Sequence, residues 1–304
     1  MTPSKQAFLS RLFEAAVNAA APLEVMQDYL PEPPKGRTIV IGAGKGAAQM
    51  AQAFESLWPH PLEGVIATRY GYGAECTRIK IIEAAHPVPD AQSLVAAQAL
   101  RDAVTGLSAD DMVIALVCGG GSALLAAPPI GCTLEDEQEL NRILLASGAP
   151  ISAMNAIRKH FSSIKGGRLA AAAYPARVVS FIVSDVPGDD PAQVASGPTV
   201  PDTVSLEDAM RAIRNYGIEL PQHILAAFQA APDPNGKEFA RNDVHVIASA
   251  ARSLEAAKEV AEREGIAAVI LSDAIEGEAK DIGLMHAALA REVTQKDRPF
   301  KAPV

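Results

Sequence analysis

Seven short β-branched runs, at Thr38–Ile41, Val65–Thr68, Ile79–Ala84, Met112–Cys118, Val178–Ser184, Val244–Ala248 and Ala267–Leu271, are separated by longer stretches of helical period. Those stretches include Gly46–Leu57, Asp90–Val104, Leu134–Leu145, Leu206–Tyr216, Ala251–Glu264 and Gly277–Ala290. Strand-length apolar runs alternating with amphipathic ones predict an α/β fold, with a Rossmann-like, mostly parallel sheet flanked by helices. In such sheets ligands bind beyond the strand C-termini. The unusual loops fall there: GAGKG follows the first run, HPVPD the third, GGGS the fourth and DVPGDD the fifth.

The 304 residues suffice for two domains, or for one large domain with a satellite. Proline and glycine cluster in APDPNGK (231–237), after a helical stretch, which places a boundary there. The reading is an N-terminal Rossmann-like domain over 1–236 and a second, incomplete α/β region over 237–304 with only two strand candidates. Two strands and two helices rarely bury a core alone.

A net charge of −9 argues against nucleic acid or an anionic membrane as a partner for the surface at large, so any anion site must be local. The cysteines, Cys76, Cys118 and Cys132, show no CxxC spacing and are odd in number, which fits a reducing cytoplasm rather than a disulfide framework or a zinc site. The 19 uncharged residues from Met112 to Ile130 approach membrane-spanning length. Gly119, Gly120, Gly121, Pro128 and Pro129 interrupt them, predicting a buried strand, a loop and a short helix, with no membrane segment. The N-terminus places Lys5, Arg11 and Glu14 among apolar residues at helical spacing, which predicts an amphipathic helix rather than a signal peptide.

Three strings carry chemistry. In TIVIGAGKGAAQM (38–50), Gly42, Gly44 and Ala47 satisfy the loose form GxGxx[GA] of the dinucleotide fingerprint, and Lys45 stands inside the turn beside a helix N-terminus, well placed for a phosphate. The bland alternative is a solvated lysine on a tight turn. Thr68 and Arg69 occupy the end of the next strand, where a ribose-binding acid would stand; this disfavours NAD and leaves NADP open.

In CGGGSALL (118–125), Gly119, Gly120 and Gly121 can turn their amides inward as an anion nest, with Ser122 capping the next helix. The alternative is a flexible turn. Asn155, Arg158, Lys165 and Arg168 lie in the densest cationic stretch of the chain, which also contains Lys159 and His160. Asp185, Asp189 and Asp190 follow an apolar strand, where carboxylates accept a proton or hold Mg²⁺. Asp190, before Pro191, reads as a turn former, and His86 in AAHPVPD as a pocket-lining residue.

The strings IGAGKGA (41–47), AAHPVPD (84–90), CGGGSALL (118–125), NAIRKHFSSIKGGRLA (155–170), SDVPGDDPAQVASGPT (184–199) and GEAKDIG (277–283) together resemble the glycerate 2-kinase family. Some of its members carry the name hydroxypyruvate reductase of tartrate utilisation. The resemblance implies transfer of a phosphoryl group from ATP, with Mg²⁺, to the 2-hydroxyl of D-glycerate in a cleft between two α/β domains. The lysine of the first glycine turn, catalytic in that family, falls on Lys45.

Expected roles follow from the strings and the resemblance together. Lys45 stabilises charge on the moving phosphoryl group, Asp189 orients or deprotonates the hydroxyl, and Asp185 supports it or Mg²⁺. Gly42, Gly44, His86, Gly119, Gly120, Gly121, Ser122, Asn155, Arg158, Lys165 and Arg168 bind nucleotide or substrate.

There are two departures from the family pattern. Cys118 stands where the family has serine, and the chain ends before the family's GGE and GGRNQE-like segments, as a fragment lacking the C-terminal domain would. An NADPH-dependent hydroxypyruvate reductase and an inactive ligand-binding fragment are the alternatives, and a homodimer is left open.

Overall fold

A computed structural model describes residues 3–301. Six parallel strands, β1 (Thr38–Ala43), β2 (Glu63–Arg69), β3 (Ile79–Ala84), β4 (Met112–Cys118), β5 (Arg177–Val183) and β6 (Asp243–Ala248), form one sheet in the order β3-β2-β1-β4-β5-β6. This is the doubly wound order in which the chain reverses direction across the sheet between β1 and β4. The loops after those two strands, GAGKG and GGGS, therefore open side by side at the crevice where such sheets take ligands.

The helices are α1 (Pro3–Asn18), α2 (Pro22–Met26), α3 (Ala47–Leu57), α4 (Ala91–Val104), α5 (Gly121–Leu124), α6 (Leu134–Ala146), α7 (Ile151–His160), α8 (Arg168–Ala172), α9 (Leu206–Asn215), α10 (Gln222–Ala226), α11 (Ala250–Arg263) and α12 (Ala279–Lys296). Asp90, Thr133 and Ser205 start α4, α6 and α9 with capping boxes, each side chain accepting an amide of the first turn. The N-terminal helix is present as α1, and Arg11 forms a two-pronged ion pair with Glu264 just past α11. Met1 and Thr2 lie outside the described residues.

Side chains alternate across the sheet with the period of two that a strand imposes. Ile39, Ile41, Val113, Ala115 and Val117 face a core shared with α4 and α8. Val40, Ile114, Leu116 and Cys118 face the opposite core, under α3. Burial on both faces explains why β4 reads as an unbroken apolar run. Met112–Ile130 is accordingly strand, loop and short helix, and among the described residues no helix is long and apolar enough to cross a membrane.

A third core, of Leu140, Leu144, Ile157, Phe161, Ala209 and Ile213, joins α6, α7 and α9 into a helical layer beside the strand C-termini.

One sequence expectation changes. Ala267–Leu271 is not a strand: it joins no ladder, and Val269 and Leu271 are half exposed, because a run of strand composition needs a neighbouring edge to pair with. β6, beyond the expected boundary at 236/237, pairs with β5 as the edge strand of the single sheet.

Candidate active site

Gly44 turns the chain out of β1 at φ 145°, and its amide donates to Ala67. The Lys45 amide then donates to the Gly119 carbonyl at 2.9 Å, tying the first glycine loop to the second. A Cβ on Gly44 would collide with Cys118, and the Cys118 thiol accepts the Gly46 amide at 3.2 Å. The thiol therefore serves as a hydrogen-bond acceptor within the first glycine loop. Burial pushes it up to about 11, so it stays protonated at neutral pH.

Gly120 sits in the left-handed region at φ 86°, a conformation glycine enters without penalty. Its Cα is roofed by two side chains: a Cβ there would stand 3.0 Å from Lys45 Cγ and 3.1 Å from His86 Nε2. On the neighbouring Gly119 a Cβ would collide with the Asp185 carboxylate. The amides of Gly119, Gly120 and Gly121 find no acceptor among the described residues, as an anion nest requires. Three loops thus converge, bringing an ammonium, an imidazole and a carboxylate to one glycine turn.

Lys45 is exposed and has no ion-pair partner among the described residues. His86 is held below its ordinary value by partial burial first, then by the cations Lys45 and Arg69, with Asp185 opposing. It is neutral at physiological pH and can donate from one ring nitrogen and accept at the other. Arg69 itself stacks on Tyr72, 3.5 Å from the ring centre. Asp185 is exposed and accepts no hydrogen bond among the described residues.

A cleft of about 640 Å³ runs from His86, Gly120 and Ser122 to Arg158 and Lys165 on the helical layer. Arg158 donates to Asn141 at 2.7 Å and to Asn155 at 3.3 Å, and Asn155 reaches Gln193 at 3.4 Å. Burial lowers the Arg158 pKa, but a guanidinium stays charged. Lys165 pairs with Glu137 at 2.6 Å, both side chains nearly fully buried.

Other expected residues take parts different from those expected. Gly42 lies inside β1 against the Leu116 carbonyl, where a Cβ would clash, so it serves strand packing. Ser122 lies within α5 rather than at its N-cap, which Gly120 occupies; its hydroxyl bonds Ser196 at 2.7 Å instead. Ser196 and Ala195 both adopt left-handed φ, at 61° and 52°, so backbone strain is stored beside the glycine turn. Arg168 donates to the carbonyls of Lys159, Lys165, Gln229 and Ala230, outside the cleft lining. Asp189 is left-handed on a short turn, and Asp190 accepts the Ala192 amide as a turn former does.

Sequence reasoning did not single out α6. Glu137 meets Lys165, Gln138 donates to the Pro89 carbonyl at 2.7 Å, and Asn141 holds Arg158, so one face of that helix touches three walls of the cleft. Asn141 stands four residues from Glu137 and three from Gln138, the spacings that bring helical side chains alongside one another, and this is the only signal the sequence offers for it.

A family model described as a domain of unknown function, DUF4147, matches residues 8–229. A protein of Agrobacterium vitis whose name provisionally assigns it to hydroxypyruvate reduction is 47% identical over 99% of this chain and 69% of its own length. The D-glycerate 2-kinase of Thermotoga maritima is 36% identical over 96% of this chain and 70% of its own length. The glycerate 2-kinase of Pyrococcus horikoshii is 41% identical over 89% of this chain and 62% of its own length. The crystal structure of a Thermotoga maritima glycerate kinase superposes on the whole chain with a TM-score of 0.86 at 34% identity, over 73% of that structure. By fold, by the spacing of its glycine loops and by these likenesses, the chain belongs to the glycerate 2-kinase family.

Proposed function

We propose that the protein phosphorylates D-glycerate at its 2-hydroxyl, using ATP and Mg²⁺, to give 2-phosphoglycerate. The observation that carries this reading is the Gly120 turn, where unpartnered amides lie beneath the Lys45 side chain, which has no acid partner among the described residues. Such a constellation stabilises charge that builds on a phosphoryl group in transit. The kinase names of the relatives support it.

In this reading the Gly119–Gly121 amides hold an anionic group of nucleotide or substrate, and Lys45 faces the transferred phosphoryl oxygens. Arg158 and Lys165, at the far end of the cleft, face the substrate carboxylate. The O–H bond of the acceptor hydroxyl breaks as its oxygen attacks the γ-phosphorus of ATP, the bond from that phosphorus to the bridging oxygen breaks to release ADP, and the proton passes to a carboxylate. Of the two candidates, Asp185 is the one in contact with the glycine turn, which favours it over Asp189.

No group of three or more His, Cys, Asp or Glu side chains among the described residues could hold a metal by itself. Asp185, the carboxylate at the glycine turn, would hold Mg²⁺, a cation that phosphoryl-transfer sites commonly bind through one or two carboxylates together with substrate phosphates. When bound it neutralises phosphate charge.

A reductase reading rests on the name of the Agrobacterium relative and on GAGKGA. Against it, the first glycine of that fingerprint is spent on packing β1 against β4, and Arg69 is stacked on Tyr72. Parallel assays separate the two: ADP formation that depends on D-glycerate supports the kinase, whereas NADPH oxidation that depends on hydroxypyruvate, without ADP formation, supports the reductase.

A further inference from the structure

The cationic wall of the cleft is built from the back. Lys165 leaves a loop between α7 and α8, and a lysine on a loop has rotamers enough to swing out of any productive geometry. Here its ammonium is fixed: Glu137 Oε1 accepts it at 2.6 Å, and Glu137 Oε2 accepts the Ala127 amide at 3.0 Å. Both oxygens of the carboxylate are therefore committed, in opposite directions, and the side chain is only 4% exposed. A carboxylate buried to that degree is costly unless it is paired and hydrogen-bonded. One turn further along the same face of α6, Asn141 fixes Arg158, whose guanidinium also feels the charge of Glu137.

We propose that Glu137 is a positioning residue for the substrate-acid end of the cleft: it acts through Lys165, holding the ammonium where a bound carboxylate meets it. The inference rests on the reading of this cleft as an acid-binding site. Glu137 is not among the residues lining the cleft, so it acts on a ligand there only through the groups it holds, and of these Lys165 lines the cleft while Ala127 does not. The same helix face, through Gln138, also grips the Pro89 carbonyl of the His86 loop, so α6 references both ends of the cleft to one rigid element.

The test is a binding cycle on the 304-residue chain, using calorimetric titration with D-glycerate and, separately, with ATP and Mg²⁺. The proteins are the wild type, Glu137→Gln, Lys165→Met and the double variant. Removing both charges together leaves neither partner unpaired, so the double variant keeps the cycle readable if Glu137→Gln alone does not fold. The expected result is a loss of about tenfold or more in D-glycerate affinity for Glu137→Gln, with nucleotide affinity within about twofold of wild type. In the Lys165→Met background, Glu137→Gln should cause no further loss of D-glycerate affinity, the non-additivity of residues that act as a unit.

A lower melting temperature with unchanged D-glycerate affinity would make the pair purely structural and overturn the inference. So would a Glu137→Gln effect that persists in full without Lys165. If the wild type binds nucleotide but not D-glycerate, the acid-site reading fails, and this inference fails with it.

Discussion

His86 Nε2 and the Lys45 side chain lie over the same Cα, that of Gly120, each about 3 Å from where a Cβ would stand. A loop after β3, a loop after β1 and a loop after β4 are thereby locked together by the absence of one methyl group. Gly120→Ala should lower kcat/KM by about tenfold or more, since Lys45 or His86 must move. Gly131 is the control, because its φ of 88° matches the 86° of Gly120 but nothing lies within 4 Å of its Cβ position. Gly131→Ala should carry a similar backbone cost, about 1–2 kcal/mol, with turnover intact. Equal turnover losses in the two variants would show that backbone strain, not crowding, is what matters.

The bonds Lys45 makes to the fold are those of its backbone; its side chain is exposed and has no carboxylate partner among the described residues. Lys45→Ala should therefore leave the melting temperature within about 1 °C of wild type and lower kcat by about 10²-fold or more, the scale expected for losing a charge contact made in the transition state. Stopped-flow turnover paired with thermal denaturation measures both. Near-normal kcat would remove Lys45 from the reacting atoms.

The histidine gives a pH dependence with a definite sign. In the folded protein His86 titrates below its ordinary value of 6.5, chiefly through partial burial and then through Lys45 and Arg69. Between the folded and unfolded values the unfolded chain binds more protons, so this contribution to stability is fully present above 6.5 and is lost as pH falls through that window. Urea midpoints at about pH 7.5 and about pH 5.5 should fall more steeply for wild type than for His86→Gln. Parallel declines would mean that His86 titrates alike in both states.

Lys159 and Asp202 form an ion pair at 2.9 Å with 0% and 2% of their side chains exposed. The two atoms are close as charges but not aligned as a hydrogen bond, and neither has another hydrogen-bond partner among the described residues. Lys159→Met leaves a buried carboxylate uncompensated and should cost about 3–5 kcal/mol. Adding Asp202→Asn should recover most of that loss, as read from denaturant unfolding. A single variant as stable as wild type would mean that water reaches the pair.

Much of this architecture is legible in the sequence because local physics dictates it. The β-branched runs become β1 to β6, and Asp90, Thr133 and Ser205 announce their helices by capping. The glycine loops fall at strand ends because chain reversal there needs left-handed backbone, as at Gly120. What composition cannot show is how cations are spent. Lys159, Lys165 and Arg168 sit in one cationic string, yet Lys159 is paired away from the cleft with Asp202, Lys165 lines the cleft while paired with Glu137, and Arg168 caps carbonyls. Glu137 itself hides among the acids of LEDEQEL, where only the fold distinguishes a buried carboxylate from solvated ones. Ala267–Leu271 shows the converse, strand composition without a strand, because pairing is decided by what lies alongside.

The most direct test of the central claim is ³¹P NMR of the protein incubated with D-glycerate, ATP and Mg²⁺. The account predicts ADP and a new phosphomonoester resonance coincident with authentic 2-phosphoglycerate, absent when Lys45→Ala replaces the wild type. An unchanged ATP spectrum, from a preparation that oxidises NADPH when given hydroxypyruvate, would contradict it.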